Sequence, residues 1–181
     1  NNPVGKKYDY DADRYAGVLK LVKEKSDWDT NASTVHKGVA AYFCHSTYVA
    51  VVMEVILKKN QPKLKKVWCA VDCGIVINKE GATNMIEGRI IDGIGHAMYS
   101  ELKFENGSSV HKNFDTYNFI RHGQSPSEIE VFFVENEITP TGLGEPALPP
   151  AVGALANALY KATGSRFYHQ PFSKHHEISL G

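Results

Sequence analysis

Apolar residues recur along the chain with two different periods, and the switches between them mark its elements. Between Asp11 and Trp28, Tyr15, Val18, Leu19 and Val22 share one side of a 3.6-residue turn. Asp11 and Asp13 stand near the start of this segment and lysines near its end, so it predicts an amphipathic helix whose charges complement its dipole. A polar linker, 29–34, follows. The stretches 38–43, 48–57 and 66–77 are rich in β-branched and aromatic residues and predict three strands, two of them joined by a turn around Asn60-Gln61-Pro62. Unbroken apolar runs such as Val49 to Val52 predict burial on both faces of the sheet.

Further on the period lengthens again. Ile86, Ile90, Ile94 and Met98 predict a long helix over about 81–100. Gly88, Gly93 and Gly95 lie inside it, and each costs about 1 kcal/mol relative to alanine, so a close backbone approach is expected there. Tight packing on the sheet is the plain reading, and direct contact with a cofactor is the other. Residues 102–110 read as a short hairpin around Asn106-Gly107. Ile129, Val131 and Phe133 alternate along a strand over 128–134 that leads towards a glycine- and proline-rich loop. A last helix carries Val152, Leu155, Leu159 and Ala162, with Pro150 in its first turn and Gly164 as its stop. Strands and helices interleave without regular βαβ alternation. The expected class is therefore α+β, a mixed, mostly antiparallel sheet with packed helices, in a single domain over 1–181 with its core at about 11–172.

Composition narrows the function without naming it. The 181 residues are 43 % hydrophobic and 22 % charged, and 20 basic residues balance 20 acidic ones. Such a chain buries an ordinary core and shows no electrostatic footprint for nucleic acid. The most apolar run, 48–57, contains Glu54 and is far shorter than the roughly 20 residues of a membrane span. Cys44, Cys69 and Cys73 lack the spacing of a disulfide framework or a zinc site. In a strand, Cys69 and Cys73 would sit roughly 13 Å apart, too far for a bridge, so buried thiols are expected. No nucleotide-binding glycine pattern, P-loop or serine elbow is present. Of the eight histidines, His36, His96, His111, His122, His169, His175 and His176 read as surface or satisfied core residues, whereas His45 lies in a break between two strands.

The chemistry that remains centres on Thr141-Gly142-Leu143-Gly144-Glu145-Pro146-Ala147-Leu148-Pro149-Pro150. Gly142 and Gly144 free the backbone before a single carboxylate, and the prolines stiffen the exit into the helix. Glu145 is thus a candidate catalytic group. A solvated acid in a helix lead-in is the alternative.

The order of Val71-Asp72-Cys73-Gly74-Ile75-Val76-Ile77-Asn78, Asn84-Met85-Ile86-Glu87-Gly88, Asp92-Gly93-Ile94-Gly95, Gly142-Leu143-Gly144-Glu145-Pro146, Ala156-Asn157-Ala158 and Ala162-Thr163-Gly164-Ser165-Arg166 resembles the C-terminal end of the molybdenum hydroxylase large subunit. The flavour is that of the isoquinoline 1-oxidoreductase beta subunits within the wider xanthine dehydrogenase and aldehyde oxidase family. The resemblance implies the C-terminal part of a molybdopterin-binding domain. It implies Glu145 as the general base beside the metal, with Gly142, Gly144 and His45 near the cofactor and no direct metal ligand. The implied cofactor is a molybdopterin-type molybdenum cofactor in its cytosine dinucleotide form, with iron–sulfur clusters on a small partner subunit.

The implied activity is hydroxylation of an N-heterocycle or oxidation of an aldehyde, with water as oxygen source. A non-catalytic binding or assembly domain retaining the scaffold is the alternative. Proteins of this kind are several times longer, so the chain is expected to be a fragment that works with an N-terminal part of the same subunit and a small-molecule substrate, with cytoplasm and periplasm both open. Met85 and Arg89 stand where the family pattern has a glutamine and a second glycine, so cofactor contacts from their helix are not carried over.

Overall fold

The computed structural model describes residues 10–30, 34–59 and 61–175. Helix α1 spans Ala12–Lys25 and strands β1, β2 and β3 span Val35–Cys44, Thr47–Lys58 and Gln61–Asp72. Helix α2 follows over Lys79–Met98, then β4 (Phe104–Glu105), β5 (Ser108–Ser109), β6 (Glu128–Phe133) and α3 (Leu148–Thr163). The main sheet has the order β1-β2-β3-β6. Its first three strands are antiparallel neighbours, whereas β6 runs parallel to β3 after the crossover through α2. The α+β class with a mostly antiparallel sheet therefore holds.

Local chemistry explains the boundaries. Asp11 caps α1 by accepting hydrogen bonds from the amides of Asp13 and Arg14, and Asn78 caps α2 by accepting from Gly81. Gly164 ends α3 in the left-handed region at φ 76°. Asn106 and Gly107 both have positive φ, as the expected turn between β4 and β5 requires. Asn60, residues 31–33 of the linker, and 176–181 with His176 lie outside the described residues.

Sheet faces alternate as the apolar runs require. Tyr48, Ala50 and Val52 of β2 join Trp68 and Ala70 of β3 beneath Val18 and Val22 of α1. Val49, Val51 and Met53 join Cys69 and Val71 on the opposite face, under α2 and α3. A helix thus covers each face of the central strands, and this double burial is why they carry no polar alternation. Cys69 is fully buried, and burial pushes its thiol far above the ordinary range.

Two expectations need correction. Strand β3 ends at Asp72, not near Ile77, because Gly74 turns the chain at φ +74° against the carbonyls of Ile138 and Thr139. The helical glycines also differ from one another. A Cβ at Gly93 would meet the Leu148 carbonyl oxygen at 2.7 Å, so this glycine lets α2 approach α3, not the sheet; Gly95 faces Ile120, and Gly88 has open space.

Among the described glycines the closest backbone approach is at Gly38 of β1, where a Cβ would fall 2.1 Å from the Ala158 amide nitrogen and 2.3 Å from the Ala154 carbonyl oxygen. Asn157 secures this packing by donating to the Val39 carbonyl oxygen at 2.9 Å. Gly38→Ala is expected to cost about 1–3 kcal/mol, because backbone atoms cannot rotate away as a side chain would. Gly88→Ala is the control and should gain up to about 1 kcal/mol. Urea midpoints of the two variants check this, and equal midpoints would refute the close packing.

Candidate functional site

The site forms where three segments meet beyond the end of β3. Segment 134–142 runs back along that end, with the Val134 amide donating to Val71 at 2.8 Å, Ile75 to Ile138 at 2.9 Å and Thr141 to Cys73 at 2.9 Å. Next to it lies the two-residue turn of the β1–β2 hairpin, His45-Ser46, with φ values of 51° and 58°. Positive φ at both positions suits the twist of a tight hairpin, but it places two non-glycine residues in a region they seldom occupy. The Gly142 amide donates to the His45 carbonyl oxygen at 3.2 Å. A Cβ on Gly142 would stand 2.7 Å from the His45 Cβ, so this glycine is required for the loop to seat on the turn.

This docking brings together two predicted residues that lie far apart in sequence. His45 Nε2 stands 3.1 Å from Glu145 Oε2, with the two side chains 58 % and 77 % exposed. The described residues therefore leave the Glu145 carboxyl open to solvent. Gly144 has no neighbour within 4 Å of a built Cβ, so nothing among the described residues needs a glycine there. Beside the loop, Ile75, Ile77, Met85, Pro140, Leu143 and Gly144 border an apolar groove of about 270 Å³. Met85 therefore faces the groove, whereas Arg89 is paired with Asp92 at 2.9 Å.

Two residues that sequence reasoning did not single out hold the site in place. Asp72 accepts both arms of Arg14, at 2.9 and 2.7 Å, and a bond from Asn136 Nδ2 at 2.9 Å. Burial is the largest influence on its carboxyl and opposes ionisation, but the bonds from Arg14 and Asn136 and the guanidinium charge outweigh it, so the group is held below its ordinary 3.8. Thr47, fully buried, donates to the Gly142 carbonyl oxygen at 2.6 Å. On the neighbouring Cys44, burial first and the Glu145 charge second push the thiol upward. Among the described residues no group of three or more His, Cys, Asp or Glu is arranged to hold a metal ion, and no helix is long and apolar enough to cross a membrane.

Residues 9–126 match the family model of the molybdopterin cofactor-binding domain. The chain belongs to this family. The match spans α1, the β1–β3 hairpins and α2, and stops before the Glu145 loop. Isoquinoline 1-oxidoreductase subunit beta of Brevundimonas diminuta is 32% identical over 164 residues, covering 87% of this chain and 21% of that protein. The membrane-bound aldehyde dehydrogenase (pyrroloquinoline-quinone) of Gluconacetobacter polyoxogenes is 32% identical over 166 residues, with the same 87% and 21%. The solved aldehyde oxidoreductase of Desulfovibrio desulfuricans superposes with a TM-score of 0.60 at 25% identity, over 69% of this chain and 14% of that one. The molybdopterin cofactor-binding domain described here thus spans about a fifth of the length of the curated relatives it matches.

The residues present fit one side of such a cofactor. A hydrogen-bonding carboxylate, an imidazole and the open space over Gly144 lie together next to the groove. Met85 adds apolar surface to the groove, so this position of α2 offers no polar recognition.

Proposed function

We propose that this domain supplies the general base, Glu145, to a molybdenum-dependent oxidoreductase that hydroxylates an N-heterocycle or oxidises an aldehyde with water as oxygen source. The observation that carries the reading is the Glu145 carboxylate, in contact with His45 on a loop that docks through Gly142 and whose preceding residues, Leu143 and Gly144, line an apolar groove. When bound, the molybdenum cofactor supplies the two-electron redox chemistry. With Oε2 engaged by His45 Nε2, Glu145 Oε1 is the oxygen that would take up the one proton released in the hydroxylation, and His45 would keep the carboxylate aimed. Gly144 leaves open space for the cofactor, and Gly142 contributes by seating the loop on the hairpin turn. The cofactor takes the cytosine dinucleotide form, and electrons leave through iron–sulfur clusters on a small partner subunit.

Burial of Glu145 has to come from the rest of the same subunit, which also completes the substrate pocket. The 181 residues act as one folding unit within that subunit, with a core at about 11–172. A non-catalytic assembly role is the second reading, favoured by Met85 in the groove.

A large cofactor needs contacts from several loops, of which this chain provides a few. The purified 181-residue chain is expected to fold with far less than one molybdenum per chain, whereas the full-length subunit purified with its partners carries stoichiometric metal. Metal analysis of both preparations decides, and stoichiometric molybdenum in the short chain would overturn the expectation. Ile77, 83 % exposed beside the groove, marks an apolar surface that the rest of the subunit would cover. The short chain should therefore self-associate at high concentration in sedimentation experiments; a strictly monomeric species would count against that docking surface.

A further inference from the structure

We propose that Thr47 is the positioning residue for Glu145, an inference that rests on Glu145 acting as the base. The contact between His45 and Glu145 is exposed and screened by water, so it orients the carboxylate without fixing the loop. Besides its backbone bonds to Cys73 and His45, the loop has buried side-chain anchors on either side of Glu145. One is Ala147, fully buried just before α3. The other is Thr47, which is fully buried at the start of β2.

Thr47 has a single hydroxyl proton, and it goes to the Gly142 carbonyl oxygen at 2.6 Å. The Thr141 hydroxyl, also 2.6 Å from Thr47 Oγ1, must then be the donor in that pair. One buried oxygen thereby satisfies two loop groups, one on each side of the peptide joining Thr141 to Gly142. Leu143 and Gly144 alone separate this anchor from Glu145, and Gly144 offers no steric guidance of its own. The placement of the Glu145 carboxylate is therefore governed by the seat of Gly142 on the hairpin turn. A hydrogen bond from a fully buried hydroxyl holds such a seat better than an exposed ion pair.

The test uses Thr47→Val, which keeps the shape and removes the hydroxyl, with Thr47→Ser as the variant that retains it. In the 181-residue chain, amide exchange at Thr141 and Gly142 should quicken about tenfold or more in Thr47→Val, as expected for one lost buried hydrogen bond, while the β2 and β3 amides keep their protection. Thr47→Ser should restore the wild-type pattern. In the full-length cofactor-loaded protein, Thr47→Val should lower kcat roughly 10²-fold with KM little changed, the cost of a misplaced catalytic group.

Unchanged exchange at Gly142, or quickening spread evenly over β2 and β3, would overturn the proposal. Turnover lost in Glu145→Gln but kept in Thr47→Val would reject Thr47 and leave the base in place. Turnover kept in both variants would remove the base itself, and with it the role of Thr47.

Discussion

Glu145→Gln in the full-length protein is expected to slow substrate-dependent reduction of the molybdenum centre by roughly 10²–10⁴-fold, with metal content and substrate binding retained. Glutamine keeps the size and one acceptor oxygen of the side chain but cannot take up a proton. The Glu145 carboxylate makes its contact with His45 from an exposed position, so the substitution breaks no buried pair in this domain and should leave folding intact. Single-turnover kinetics with the intact centre separate the chemical step from binding. A rate within a few-fold of wild type would leave Glu145 as a solvated acid in a helix lead-in. Gly144→Val is a useful companion, because a Cβ there meets nothing within 4 Å among the described residues, so activity should fall more than stability.

Asp72→Ala is expected to cost about 3–5 kcal/mol of stability, the usual penalty for removing one partner of a buried ion pair. The Asp72 side chain is 3 % exposed and accepts a two-pronged contact from Arg14, whose guanidinium also lies over the Tyr48 ring at 4.6 Å. Without the carboxylate, Arg14 keeps its charge and loses its partner, and Asn136 loses its acceptor. The same group governs acid sensitivity. Its folded-state pKa lies below the ordinary 3.8, so its contribution is fully present above that value and is lost as pH falls through the folded value. Urea midpoints of the wild-type chain should therefore decline as pH is lowered below about 4, and Asp72→Asn should lack that part of the decline. Parallel pH profiles for the two proteins would exclude Asp72 as the titrating group.

Much of this architecture was legible in local pattern. The fourfold recurrence of Ile86, Ile90, Ile94 and Met98 located α2 to within about two residues of its observed ends, because a helix buries one stripe and repeats it every turn. The unbroken run in β2 announced a strand covered on both faces, and Asn106-Gly107 announced the small hairpin. Glu145 stood out as a candidate for a related reason, since glycines and prolines around a lone acid suggest backbone control, a need the structure shows at Gly142. The reach of β3 was overestimated, because the apolar residues after Asp72 continue the strand composition while Gly74 turns the chain away from the sheet.

Pairings across the sequence were a different matter. His45 lies 100 residues from Glu145, and Thr47 lies 95 from Gly142, so no period or spacing links them. Their meeting depends on β6 adding in parallel beside β3, and on segment 134–142 then retracing the end of β3 to the hairpin turn. The same path carries Asn136 to Asp72, and of the two glycines before Glu145 it makes Gly142, not Gly144, the one sterically required. By itself the sequence determined the kinds of element, their approximate ends, their buried faces and the candidate base, because these follow from contacts among residues a few positions apart. The tertiary structure alone decided which strand edges pair and what stands beside Glu145, because strand order and register are set by burying all the faces at once.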